Sequence, residues 1–207
     1  MGTVLGLGMA LLLNKEFRGR AVTRMIVLLP WSIPIVIQGM MFSLLFDPSI
    51  SFLVDPLHNI GLFSANPLIS TRDSIIVVIL IDVWRRVPFI ALIILAGLAS
   101  VDQSLYDVAK VAGASKWQQF KLITFPLIKP VVFIGMIFYT ISSMKVYGVV
   151  EASAGCNTVP TLTCLVVDTF RMQRWATASA IAFLTALIIA GIVMMYLIKF
   201  REVTTSE

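Results

Sequence analysis

From Ala176 to Ile198 the chain carries no charged residue. About 20 apolar residues in a helix, rising ~1.5 Å each, cross the ~30 Å hydrocarbon layer of a bilayer. Three more stretches reach that length: about Ala21 to Phe46, Ser74 to Ala99 and Leu122 to Met144. Composition agrees. Apolar residues make up 58% of the 207, charged residues only 13%, and the mean hydropathy is +0.95. A soluble chain of this size has too much surface for its volume to bury so large an apolar share. A disulfide scaffold, a disordered chain and an ordinary cytosolic enzyme are thereby excluded. The expected architecture is all-α, a polytopic transmembrane helix bundle of about five spanning segments, treated as one domain over residues 1–207.

The first segment, Met1 to Leu13, is too short to span. It lacks the basic lead-in and small-residue cleavage site of a signal peptide. It reads as the inner end of a spanning helix whose start is missing or shortened. Gly2 and Gly6 form a GxxxG pair, which either permits close helix contact or reflects the frequency of glycine in membrane helices. Pro30 and Pro34 predict a kink or a non-helical entry in the second segment.

Charge sets the expected orientation. Lys15, Arg18, Arg20, Arg24, Lys110, Lys116, Lys121, Lys129, Lys199 and Arg201 fall on one side of the alternating segments. Arg72, Lys145, Arg171 and Arg174 fall on the other. The ten-residue side is expected to be cytoplasmic, which puts Met1 outside and the C-terminus inside. A net charge of +5 distributed over short links between apolar runs is a topology signal and gives no reason to expect a nucleic-acid partner.

The link from about Val101 to Pro126 differs from the others. Ser104 is placed to cap a short helix, with Asp107 three residues on as the capping-box acid. Leu105, Val108 and Ala112 share a face. Gly113 suits the left-handed residue that ends a helix. Ser115 and Gln118 form a second capping box, Trp117, Phe120 and Ile123 a second apolar face, and Pro126 a break before the fourth spanning segment. An apolar-faced helix pair in the cytoplasm has to bury that face against its own bundle, the lipid interface or a partner protein.

The run Asp107, Val108, Ala109, three residues, Gly113, nine residues, Ile123, one residue, Phe125, Pro126 resembles the EAA loop of permease subunits of binding-protein-dependent ATP-binding-cassette importers. The family pattern is Glu-Ala-Ala, three, Gly, nine, Ile, one, Leu-Pro. The spacing matches throughout, with Asp107, Val108 and Phe125 as mild departures. Residues 14–20 (NKEFRGR), 28–34 (LLPWSIP), 45–48 (LFDP), Trp84 with Pro88 and Phe89, 95–98 (LAGL) and 178–180 (ASA) are similar to the carbohydrate-uptake branch. Residues 151–157 (EASAGCN) stand where that branch commonly has a glycine-rich turn.

The resemblance implies an upstream membrane helix and a prokaryotic cell-membrane location. It also implies a second permease subunit, two ATPase subunits and an external solute-binding protein as partners, besides membrane lipid. By the same resemblance Asp107, Ala109, Gly113, Ile123 and Pro126 form the coupling contact with the ATPase. The chain has no phosphate-binding loop of its own, so ATP is bound by the partner, the chain needs no cofactor, and no catalytic residue is expected.

Asp82, Arg85 and Arg86 lie inside the third segment. Each costs about 2.5–3.5 kcal/mol at a helix centre, so they should face protein or water. They line a solute path or form an internal ion pair near the outer helix end. Phe89, Tyr139, Ser142 and Lys145 are further path candidates, and Ser143 shares a face with Tyr139 and Ser142; helix–helix hydrogen bonding is the alternative. Cys156 and Cys164 are expected to be two buried thiols, with a disulfide as the alternative. His58, the one histidine, is not expected to bind metal. The sequence points to an importer of a sugar or oligosaccharide. The rivals are an ATP-independent channel or carrier, a membrane-embedded enzyme, and an importer of another solute such as a sugar phosphate.

Overall fold

Each apolar run forms helix in the computed structural model, which describes residues 1–205 and the side chains of residues 1–200. The helices are α1 (Gly2–Asn14), α2 (Arg20–Ser32), α3 (Ile35–Leu45), α4 (Val54–Asn59), α5 (Thr71–Ala99), α6 (Gln103–Val111), α7 (Lys116–Gln119), α8 (Phe125–Met144), α9 (Gly148–Ser153), α10 (Leu162–Arg171) and α11 (Trp175–Thr205). There is no strand among the described residues. The Arg201 side chain and the C-terminal residues Ser206 and Glu207 lie outside what is described.

Two continuous helical stretches, Lys116–Met144 and Trp175–Phe200, are by themselves long and apolar enough to cross a bilayer. Helices α2 and α3 are separated by a short break and together make a third candidate span. The break falls at Pro34, where a ring replaces the N–H that would continue the ladder. The Ile33 carbonyl left at the break accepts from Gln38 Nε2 at 2.8 Å, which explains a glutamine with no solvent exposure in an apolar helix. Helix α5 is 29 residues long but carries Asp82, Arg85 and Arg86, and α1 has 13 residues.

The residues form two compact units. One comprises Met1–Trp31, Arg86–Thr140 and the chain from Met195 on; the other comprises Ser32–Arg85 and Ile141–Met194. The core of the first holds Ala10, Leu13, Ile90, Ala91, Ile94 and Ile128. In this unit a Cβ on Gly6 would come within 2.8 Å of Ile90, and one on Gly2 would meet the Tyr139 ring. The GxxxG face is therefore a packing face. The core of the second unit holds Phe46, Phe63, Val77, Ile81, Val149 and Val150. There α9 packs on α3 so closely that a Cβ on Gly39 would lie 2.5 Å from that of Ala152.

Most apolar side chains of α11 point outward: Phe183, Leu184, Leu187, Ile188, Met194 and Leu197 are all exposed. In water this would be unstable; against acyl chains it costs nothing. The buried Thr185 hydroxyl is satisfied locally, donating to the Ile181 carbonyl at 2.8 Å.

Three sequence expectations change. The caps of α6 are shifted: Asp102, not Ser104, accepts from the Ser104 N–H at 2.9 Å, while Asp107 pairs with Lys110. That amide bond, the largest influence, holds the Asp102 carboxyl below its ordinary value. A depressed acid stabilises in its charged form, so the cap is present above the ordinary carboxylate range and is lost as pH falls through the lowered value. Pro126 does not break the chain. A π-helical turn, Phe120–Thr124, precedes it, and the wider i to i+5 bond from Phe125 N–H to the Phe120 carbonyl lets the helix run on past the ring. The third change is at Cys156 and Cys164, which form a disulfide. The predicted external link between the fourth and fifth segments is not bare loop but contains α9 and α10, and their packing brings the two sulfurs together.

Helix α10 ends in a two-bond C-terminal motif: Gln173 N–H donates to Phe170 and Arg174 N–H to Thr169. Gln173 occupies its left-handed position at φ 58°, which favours glycine. Gln173→Gly is expected to stabilise the protein by about 0.5–1 kcal/mol, read as a rise in melting temperature of the detergent-solubilised subunit.

Candidate functional site

The hairpin after α5 is assembled from local rules. Asp102 opens α6. The helix closes through bonds from Gly113 N–H to Lys110 (3.0 Å) and from Ala114 N–H to Ala109 (2.9 Å), with Gly113 at φ 78°. Such paired bonds require a left-handed residue, so the glycine is conformational. Ser115 then caps α7 in a reciprocal box: Gln118 N–H donates to Ser115 Oγ at 3.3 Å, and Ser115 N–H to Gln118 Oε1 at 2.7 Å. The Tyr106 hydroxyl pairs with Thr124 Oγ1 at 2.9 Å, tying α6 to the π turn.

The apolar face built this way is open. Val111 is 91% exposed, Trp117 and Leu122 70%, and Val108 69%, with Leu105 and Ala112 exposed as well. Trp117 stacks on Phe120 at 5.6 Å, which holds the indole in place. Around Gly113 no atom lies within 4 Å of where a Cβ would be. Asp107 is exposed, and Ala109, Ile123 and Pro126 are half-buried. This subunit therefore leaves Val108, Val111, Trp117 and Leu122 uncovered and partly covers Ala109, Ile123 and Pro126.

The path candidates divide between the two units. In one, Asp82 is buried; its carboxylate accepts from Arg85 at 3.5 Å and from the Ser143 hydroxyl at 3.0 Å. Ser142 is half-buried and Lys145 exposed, just past the end of α8. In the other, Phe89 stacks on Trp31 at 5.5 Å and 12°, Tyr139 lies on the Gly2 face, and Arg86 is half-buried. Sequence reasoning missed Gln38 and Trp31. The first could have been suspected, since a carbonyl freed beside Pro34 needs a donor. Trp31 was marked only as part of the run at residues 28–34 (LLPWSIP). Among the described residues no cluster of side chains could hold a metal ion.

A helical membrane subunit with an open amphipathic hairpin is the class these observations define. The chain belongs to the family described as the binding-protein-dependent transport system inner membrane component, whose profile matches residues 2–202. It is 32% identical over 198 residues to the trehalose/maltose transport system permease protein of Thermococcus litoralis, covering 94% of this chain and 67% of that one. It is 34% identical to the sulfoquinovosyl glycerol transport system permease protein of Agrobacterium fabrum, over 70% of this chain and 47% of that one. It is 28% identical to the trehalose transport system permease protein of Mycobacterium tuberculosis, over 95% and 64%. The fold is similar to a chain of a bacterial ABC transporter that imports the acidic polysaccharide alginate. That match has a TM-score of 0.81 at 22% identity and covers 99% of this chain and 74% of that one.

Proposed function

We propose that this chain is the translocating subunit, itself non-catalytic, of an ATP-driven importer for a sugar or oligosaccharide. It forms one transmembrane domain and works with a second permease subunit, two ATPase subunits and an external solute-binding protein. The observation that carries this reading is the free apolar face of the hairpin around Gly113, presented by a chain with no nucleotide-binding loop of its own. The face is a handle for a motor on another polypeptide.

The hairpin and C-terminus are cytoplasmic and Met1 is external, by the distribution of Lys and Arg. Asp107, Ala109, Gly113, Ile123 and Pro126 make the ATPase contact. Asp82, Arg85, Arg86, Phe89, Tyr139, Ser142 and Lys145 line or support the solute path, and the names of the sugar-transporting relatives support a hydroxyl-rich solute.

Uptake of a labelled disaccharide panel into proteoliposomes tests this. With permeases, ATPase subunits and solute-binding protein together, uptake is expected to require ATP and all components. Uptake that persists without the ATPase subunits would favour a channel or carrier.

A further inference from the structure

The Cys156–Cys164 cross-link lies at the centre of the segment between α8 and α11. Cys156 follows Gly155, whose φ of 79° turns the chain at the end of α9, and the Gly155 N–H donates back to Val150 at 2.8 Å. Cys164 sits in the first turn of α10, its N–H donating to Thr161 Oγ1 at 3.1 Å. The same Thr161 hydroxyl donates to the Val146 carbonyl at 3.3 Å. Both half-cystines belong to the core that holds Phe46, Phe63, Val77 and Ile81. The cross-link therefore ties the start of α10 to the end of α9, and α9 is seated on α3. Further along, Arg171 bonds Glu151 at 3.0 Å and the Tyr147 hydroxyl at 2.9 Å, which joins the other ends of the two helices.

We propose that Cys156–Cys164 is a structural disulfide installed outside the cytoplasm and that it marks residues 145–174 as external. Cytoplasmic thiols are kept reduced, whereas exterior compartments support disulfides. Formation proceeds by thiol–disulfide exchange with an oxidising dithiol protein of the exterior. The two cysteine thiols lose two protons and two electrons, the S–S bond forms through a mixed disulfide, and the donor's disulfide is reduced to its dithiol. Once buried, the cystine is shielded from attack by a bulky protein thiol. Neither the redox state nor the sidedness rests on the importer reading.

Cells quenched in acid, denatured and treated with a mass-tagged maleimide test this. No tag is expected before reduction and two tags after it; two tags before reduction would overturn the proposal. The double variant Cys156→Ser with Cys164→Ser is expected to lower the melting temperature by about 5–10 °C, because a cross-link closing so short a loop still removes unfolded-state entropy; an unchanged melting temperature would overturn the structural role. A wild-type chain that captures no ATPase would count against the importer reading while leaving the maleimide result intact.

Discussion

Gly113→Asp is expected to abolish ATP-driven uptake and to weaken capture of the ATPase subunit at least about thirty-fold, the size of a hot-spot loss of ~2 kcal/mol or more. The membrane part should stay folded. The subunit itself would feel little at this position. A Cβ at this position meets nothing within 4 Å, so there is no internal clash. The left-handed backbone costs an ordinary L-residue about 1–2 kcal/mol, but Asn and Asp adopt it more readily than others. Gly113→Asn and Gly113→Asp thus load the turn alike and differ in charge alone. If the face is gripped by a partner, Asn is expected to retain much of the uptake and Asp to lose it. Gly113→Ala should fall between them, by backbone strain. Pull-down and uptake measured on all three separate strain from contact.

Truncating Asp82 is expected to be the most destabilising single change in the membrane region. The carboxylate is buried and bonded to Arg85 and Ser143. Removing one member of a buried charge network typically costs about 3–5 kcal/mol. Asp82→Leu should therefore lower the yield of folded subunit sharply, read as loss of the monodisperse peak in detergent size-exclusion chromatography. Asp82→Asn keeps a hydrogen-bond acceptor for Ser143 and should cost less. Combined with Arg85→Gln it should cost less than the sum of the two single changes, because the residues share one network. Strict additivity would show that the two do not act as a pair.

The parts of the molecule legible in the sequence are those decided within a few residues. An uncharged run from Ala176 to Ile198 has no alternative to a lipid-facing helix, and α11 presents the exposed apolar surface expected of one. Ser115 and Gln118 sit three apart and cap as expected, and Gly113 takes the left-handed turn its position suggested. The misses depend on competition or distance. Asp102 and Ser104 are both good caps, and the sequence alone does not choose between them. At Pro126 the rule that proline ends a helix is defeated by the π turn before it. Cys156 and Cys164 pair because the turn at Gly155 after α9 and the start of α10 bring their Cα atoms to 5.7 Å, which a spacing of eight residues does not by itself dictate. Gln38 is explained only once the Pro34 break is seen to free a carbonyl. The solute path was the least legible. Polar residues on α5 and α8 satisfy both a path and an internal network, and Asp82 already spends its carboxylate on the network.

The importer reading requires the hairpin to face the cytoplasm with its apolar side free for an ATPase subunit. Val111, the most exposed residue of that side, is the place to test it. Val111→Cys in the assembled complex should react with a membrane-impermeant maleimide in inside-out vesicles and not in right-side-out ones. The ATPase subunit should protect it, and a short bifunctional reagent should cross-link it to that subunit. Labelling from the outer surface, or unchanged labelling whether the ATPase is present or absent, would contradict the account.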